Sequence, residues 1–83
     1  VKEGENMLLN YTVIFEPQAE GGYTVYVPAL PGCVSEGDTL EEAKEMIKDA
    51  IKCYCESLMK DGLPFPQDVD VEPIKDKVLV ELT

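Results

Sequence analysis

The chain has 83 residues, with seven lysines, no arginine and no histidine against seventeen Asp and Glu, giving a net charge of −10. A chain this short makes one small domain and buries only about 60% of its unfolded surface, so its core is thin without a staple or a second subunit. The acid excess and the missing arginine argue against direct nucleic-acid binding, which sets Lys and Arg against phosphates and Arg against base edges; they favour a basic protein partner, and no run of eighteen apolar residues offers a membrane span.

In chain order, residues 1–6 lack an apolar pattern and read as a disordered leader or appended remnant, with the domain expected over residues 7–83. Leu8 to Phe15 reads as a strand, with Leu9, Tyr11, Val13 and Phe15 on one face and Leu8, Asn10, Thr12 and Ile14 on the other. Gly21-Gly22 closes a loop into a second strand, Tyr23 to Val27. Leu30-Pro31-Gly32-Cys33 suits a type II turn, because proline presets the second position and glycine accepts the positive φ of the third. A short strand, Cys33 to Glu36, then meets the break at Gly37-Asp38.

Thr39 can cap a helix, with Glu42 three residues on completing a capping box. Leu40, Ala43, Ile47, Ala50, Ile51, Tyr54 and Leu58 draw one apolar stripe at helical spacing, flanked by Met46 and Met59 as gap-fillers. Lys44, Lys48, Lys52 and Glu56 lie opposite. Gly62 falls where a helix ends, and Leu63-Pro64-Phe65-Pro66 reads as an extended crossing. Lys77 to Leu82 alternates as a last strand.

The expected order is β-β-β-α-β, an α+β fold in two layers. One helix would cover a mixed four-stranded sheet of order 3-2-1-4, since a crossover helix returns the last strand parallel to the first. Leu8, Ile14, Tyr26 and Leu79 would then make the other sheet face too apolar for open water. That surplus predicts a homo-oligomer, with the dimer favoured as the commonest closed arrangement.

The residue types for catalysis are sparse. There is no histidine base, and no Ser or Cys motif carries a partner. Cys53 and Cys55, two apart on the predicted helix, point to nearly opposite sides and cannot share a metal. Three cysteines, an odd number, read as reduced and mostly buried thiols of a cytoplasmic protein. Gly21-Gly22 and Gly37 form no phosphate-binding fingerprint, so no cofactor is expected. The strand order resembles the first half of a ribonuclease-H-like domain, but a two-metal nuclease needs converging carboxylates. Here the first strand offers only Glu16 at its end, and the last only Glu81.

The stretch from Pro28-Ala29-Leu30-Pro31-Gly32-Cys33 through Glu36-Gly37-Asp38-Thr39-Leu40-Glu41-Glu42-Ala43 resembles the signature of the HicB-like antitoxin family. The likeness runs over residues 8–83, through Tyr11 to Pro17, Gly22-Tyr23 and Asp61-Gly62-Leu63-Pro64-Phe65-Pro66. It implies a non-enzymatic protein that binds and masks a small basic, mRNA-cleaving toxin of the HicA-like kind. The residues that match the motif, Pro28, Leu30, Pro31, Gly32, Gly37, Asp38, Thr39, Glu42 and Ala43, are fold-defining, and the resemblance does not locate the toxin contact. Two departures stand out. Many members add a carboxyl-terminal DNA-binding segment, whereas this sequence stops at Thr83 and reads as a short form without it. Ala29 stands where an acidic residue often sits, which removes one possible contact. The competing readings are an orphan oligomeric binding or scaffold module with no toxin, and a degenerate ribonuclease-H-like enzyme.

Overall fold

The computed structural model describes residues 8–82; the expected leader over residues 1–6 lies outside them. Three short strands and one helix follow in order: β1 (Ile14–Pro17), β2 (Tyr23–Tyr26), β3 (Val34–Gly37) and α1 (Leu40–Lys60). The sheet is antiparallel in the order β1-β2-β3, and α1 packs across β2 and β3. The fold is therefore α+β, as the hydrophobic pattern predicts.

The central connection is built from local chemistry. Leu30 N–H donates to Val27 O and Cys33 N–H to Leu30 O, both at 3.0 Å, while Val27 N–H reaches Cys33 O at 3.1 Å. The second of these turns spans Leu30-Pro31-Gly32-Cys33, and Gly32 sits at φ +84°, the positive value its third position requires. At the helix start, Thr39 Oγ1 accepts from Glu42 N–H at 3.0 Å, and a Glu42 carboxylate oxygen accepts from Asp38 N–H at 2.7 Å. The capping box thus closes one residue earlier than its usual form, on the amide before the cap. At the far end, Gly62 N–H bonds Met59 O and Leu63 N–H bonds Leu58 O, with Gly62 at φ +68°. That is the paired-bond glycine stop of a Schellman motif.

Val25, Val27, Leu30, Cys33, Ala43 and Ile47 form the core, with Tyr11, Val13, Phe15, Tyr23, Ala50, Ile51 and Tyr54 packed around it. The stripe on α1 is largely as expected, with two differences. Cys55 is buried, while Leu40, in the first turn, is half exposed. Met46 and Met59 are about half exposed and fill no gap. The observed ion pair on α1 joins Lys48 to Glu45 at 3.5 Å, both side chains well exposed, and contributes little in solvent.

The strands differ more from expectation. β1 begins at Ile14 rather than Leu8, because its partner β2 ends at Tyr26 and the chain then turns away through Val27–Cys33. Residues 8–13 therefore run on without a ladder partner. The fourth strand is not formed. Residues 64–82 carry no regular structure, so neither the 3-2-1-4 order nor a partial ribonuclease-H-like sheet is present among the described residues. Leu79, expected on the open sheet face, is fully exposed instead. The physical reason is register. Pro66 and Asp68 lie beside Tyr11 and Thr12, and Pro73, Ile74 and Lys75 face Ile14–Gln18 across a cavity of about 570 Å³. By Lys77 the chain has travelled the whole length of β1 and has no strand left to join.

Candidate interaction surface

Three surfaces stand out, and each follows from where the elements end. The first is the end of the molecule where the β1–β2 loop, the end of β3 and the start of α1 meet. Gln18 N–H to Gly22 O and Gly21 N–H to Gln18 O, both 3.0 Å, fold the loop tightly. A polar cleft of about 290 Å³ opens here, lined by Gln18, Gly21, Gly22, Tyr23, Glu36, Gly37, Asp38 and Glu42. Glu16, Glu20, Glu36, Asp38, Glu41 and Glu42 are all exposed at this end. Glu41 and Glu42 occupy the first turn of α1, where negative charge complements the helix dipole. Part of the acid cluster is therefore structural, and the rest presents a field to solvent.

The second is the sheet face away from α1. The pairing register places Ile14 opposite Tyr26 and Tyr26 opposite Val34, so these three form one apolar row across the sheet. Ile14 and Tyr26 are half-buried and Val34 is exposed. Val34 is absent from the sequence-based face, although its alternation with buried Cys33 could have revealed it. The third is an apolar groove of about 410 Å³ beside α1, walled by Leu8, Leu9, Ile51, Cys55, Met59 and Phe65 and rimmed by Lys48, Lys52 and Glu56.

The motif residues divide between these places. Leu30 and Ala43 are fully buried, Pro28 and Gly37 are half-buried, and Pro31, Gly32, Asp38, Thr39 and Glu42 are exposed. A Cβ on Gly37 would overlap Ala43 N and lie 2.7 Å from Ala43 Cα, so the end of β3 touches the helix backbone directly. Gly37, Asp38, Glu42 and Ala43 are thus brought together, whereas the Pro31-Gly32 turn lies apart.

Burial pushes the Cys33 and Cys55 thiols above their ordinary value, with the neighbouring Cys55 adding to the effect at Cys33. Both stay protonated at neutral pH, and with exposed Cys53 they are free. Asp68 is held below the usual carboxylate range, first by the Thr12 backbone N–H and then by the Thr12 hydroxyl, at 2.8 and 2.7 Å. Among the described residues no group of three or more His, Cys, Asp or Glu stands close enough to hold a metal ion, and no helix is long and apolar enough to cross a membrane.

A three-stranded sheet under one helix, polar at its tips and apolar on its open faces, offers surfaces for another protein. The sequence matches the family model of the HicB-like antitoxin of bacterial toxin–antitoxin systems over residues 11–79. It is 46% identical over 68 residues to the UPF0150 protein ssr1765 of Synechocystis, covering 81% of this chain and 86% of that one. It is 48% identical over 60 residues to the UPF0150 protein Ta0767 of Thermoplasma acidophilum, covering 72% and 87%. Antitoxin HicB 1 of Photorhabdus laumondii is 44% identical over 63 residues, which is 74% of this chain and 41% of that protein. The chain belongs to the HicB-like antitoxin family.

Proposed function

We propose that this protein is the neutralising partner in a two-protein pair, binding and masking a small basic, mRNA-cleaving toxin of the HicA-like kind without catalysing a reaction itself. The observation that carries this reading is the family match over residues 11–79. The acid excess supports it, because net charge of −10 on so small a chain draws a basic partner from a distance. Geometry supports a contact at the end of the molecule where Glu36 and Asp38 line the polar cleft and Glu16, Glu20 and Glu41 are exposed. Glu42 is committed to the helix start and is the least free of them to bind elsewhere. A cytoplasmic location and a homo-oligomeric state, with the dimer favoured, belong to the same reading, as does the absence of direct nucleic-acid binding.

Co-purification with a small basic ribonuclease encoded beside it tests the pairing. A stable complex that suppresses RNA cleavage is expected. Because long-range attraction speeds encounter, the association rate should fall steeply with salt and drop at least about tenfold in the double charge reversal Glu36→Lys, Glu41→Lys. A complex whose association rate ignores both salt and that reversal would move the contact away from the acidic end. A failure to associate at moderate salt would favour the orphan scaffold reading.

A further inference from the structure

The carboxyl-terminal arm is the least accounted-for part of the molecule. Among the described residues, every buried hydrophobic lies from Val25 to Cys55, whereas Ile74, Val78, Leu79, Val80 and Leu82 are 94, 82, 100, 69 and 90% exposed. The radius of gyration is 16.6 Å and the long axis 66 Å, against about 12 Å for the radius of a compact domain of this length. Val78-Leu79-Val80-Glu81-Leu82 combines high β-propensity with one charge, a composition that does not stay bare in water. Its own sheet cannot take it, since the chain has already passed the length of β1 before Lys77.

We infer that this arm crosses to a second copy of the chain and seats its apolar side chains in the groove beside α1, in a reciprocal exchange. Charge favours that seat. The arm brings Glu81, and most of this surface would repel it, but the groove rim sets two lysines, Lys48 and Lys52, against one acid, Glu56, above an apolar floor of Leu9, Ile51, Met59 and Phe65. Charge also favours a second copy over the basic partner, because a segment with one acid among five residues offers such a partner little electrostatic gain. A two-fold exchange uses each arm and each groove once and closes the assembly. The inference rests on the dimer proposed above and names the segment that makes it.

The test uses the full chain and two single substitutions at exposed positions, Leu79→Asp in the arm and Met59→Asp in the groove. Light scattering should give twice the 9.2 kDa chain mass for the wild type and one chain mass for each variant. Mixing the variants should restore the double mass, because an intact arm of one then meets an intact groove of the other. In parallel, amide exchange of residues 78–82 should slow at least about tenfold as the wild type is concentrated. If all three proteins are dimers, the dimer stands and the exchange of arms falls. If the wild type stays at one chain mass, both fall. Fast exchange of residues 78–82 at every concentration would also overturn the inference, and that measurement does not depend on either variant folding.

Discussion

The stretch from Gly22 to Leu63 and the stretch from Pro64 to Leu82 are made of similar residue types, yet one is folded by its own chemistry and the other is not. In the first, each junction is tied within a few residues: the Leu30–Cys33 turn, the Thr39–Glu42 cap, and the Gly62 stop with its two backbone bonds. In the second, side-chain anchoring to the fold comes from Tyr11 O–H to Pro66 O and from Thr12 to Asp68, and beyond Asp68 every described residue is exposed. Apolar content alone does not make a core. Val78, Val80 and Leu82 alternate as well as Tyr23, Val25 and Val27 do, but only the latter three have a strand beside them and a helix above.

The sharpest way to break the folded half is at the contact between β3 and α1. Gly37→Val sets a side chain into the Ala43 backbone, which cannot retreat because Ala43 is itself fully buried. Overpacking against backbone costs about 3 kcal/mol or more, out of a total of roughly 4–12 kcal/mol for a domain this size. Denaturant unfolding should show a large drop in midpoint, with much of the protein unfolded at 37 °C. A midpoint within experimental scatter of the wild type would mean that β3 and α1 can separate without penalty.

This contrast also explains what was readable in the sequence. The turn at Pro31-Gly32, the cap at Thr39 and the stop at Gly62 are local, each specified by residues at most five apart; the turn and the stop form as expected, and the cap differs only in that Glu42 reaches the Asp38 amide. Alternation in residues 77–82 predicts a fourth strand, but alternation reports only which side chains share a face, not whether a partner strand lies within reach. The register of the crossing depends on where Pro66 and Asp68 meet Tyr11 and Thr12, more than fifty residues earlier. Nothing local to Asp68 announces that role. The apolar row of Ile14, Tyr26 and Val34 is legible in part: alternation with core residues puts each of the three on the open face, but that they stand side by side in one row follows only from the β1–β2 and β2–β3 registers.

A gentler test of the folded half is Thr39→Ala. It removes the hydroxyl that accepts from Glu42 N–H at 3.0 Å and leaves the reciprocal bond to Asp38 N–H without its counterpart. Loss of such a cap costs about 1 kcal/mol. The expected outcome is a modest fall in unfolding midpoint with unchanged slope, and Thr39→Ser should recover most of it. If Thr39→Ala matched the wild type, the Glu42 carboxylate on Asp38 would be sufficient to start the helix by itself.

The smallest effect should come from the tie between the two halves, and it should be visible as a local event rather than as a loss of the core. The Thr12 N–H and hydroxyl favour the Asp68 carboxylate and hold its titration below the ordinary 3.8. A carboxylate depressed in the folded state contributes its stabilisation fully above its unfolded value, and the contribution is lost as the pH falls through the lower folded value. The crossing at Pro66–Asp68 should therefore stay docked on residues 11 and 12 down through pH 4 and loosen in stronger acid. Followed by NMR, the Thr12 amide should shift and exchange faster with a midpoint below that of an unperturbed aspartate. In Asp68→Asn the uncharged amide can still accept from Thr12 N–H, so the pH response should vanish while the unfolding midpoint of the core stays put. A Thr12 amide that ignores acid in the wild type would show that the arm is held at its root by something other than Asp68. Tyr11 would then be the remaining anchor, and Tyr11→Phe the substitution that frees the arm.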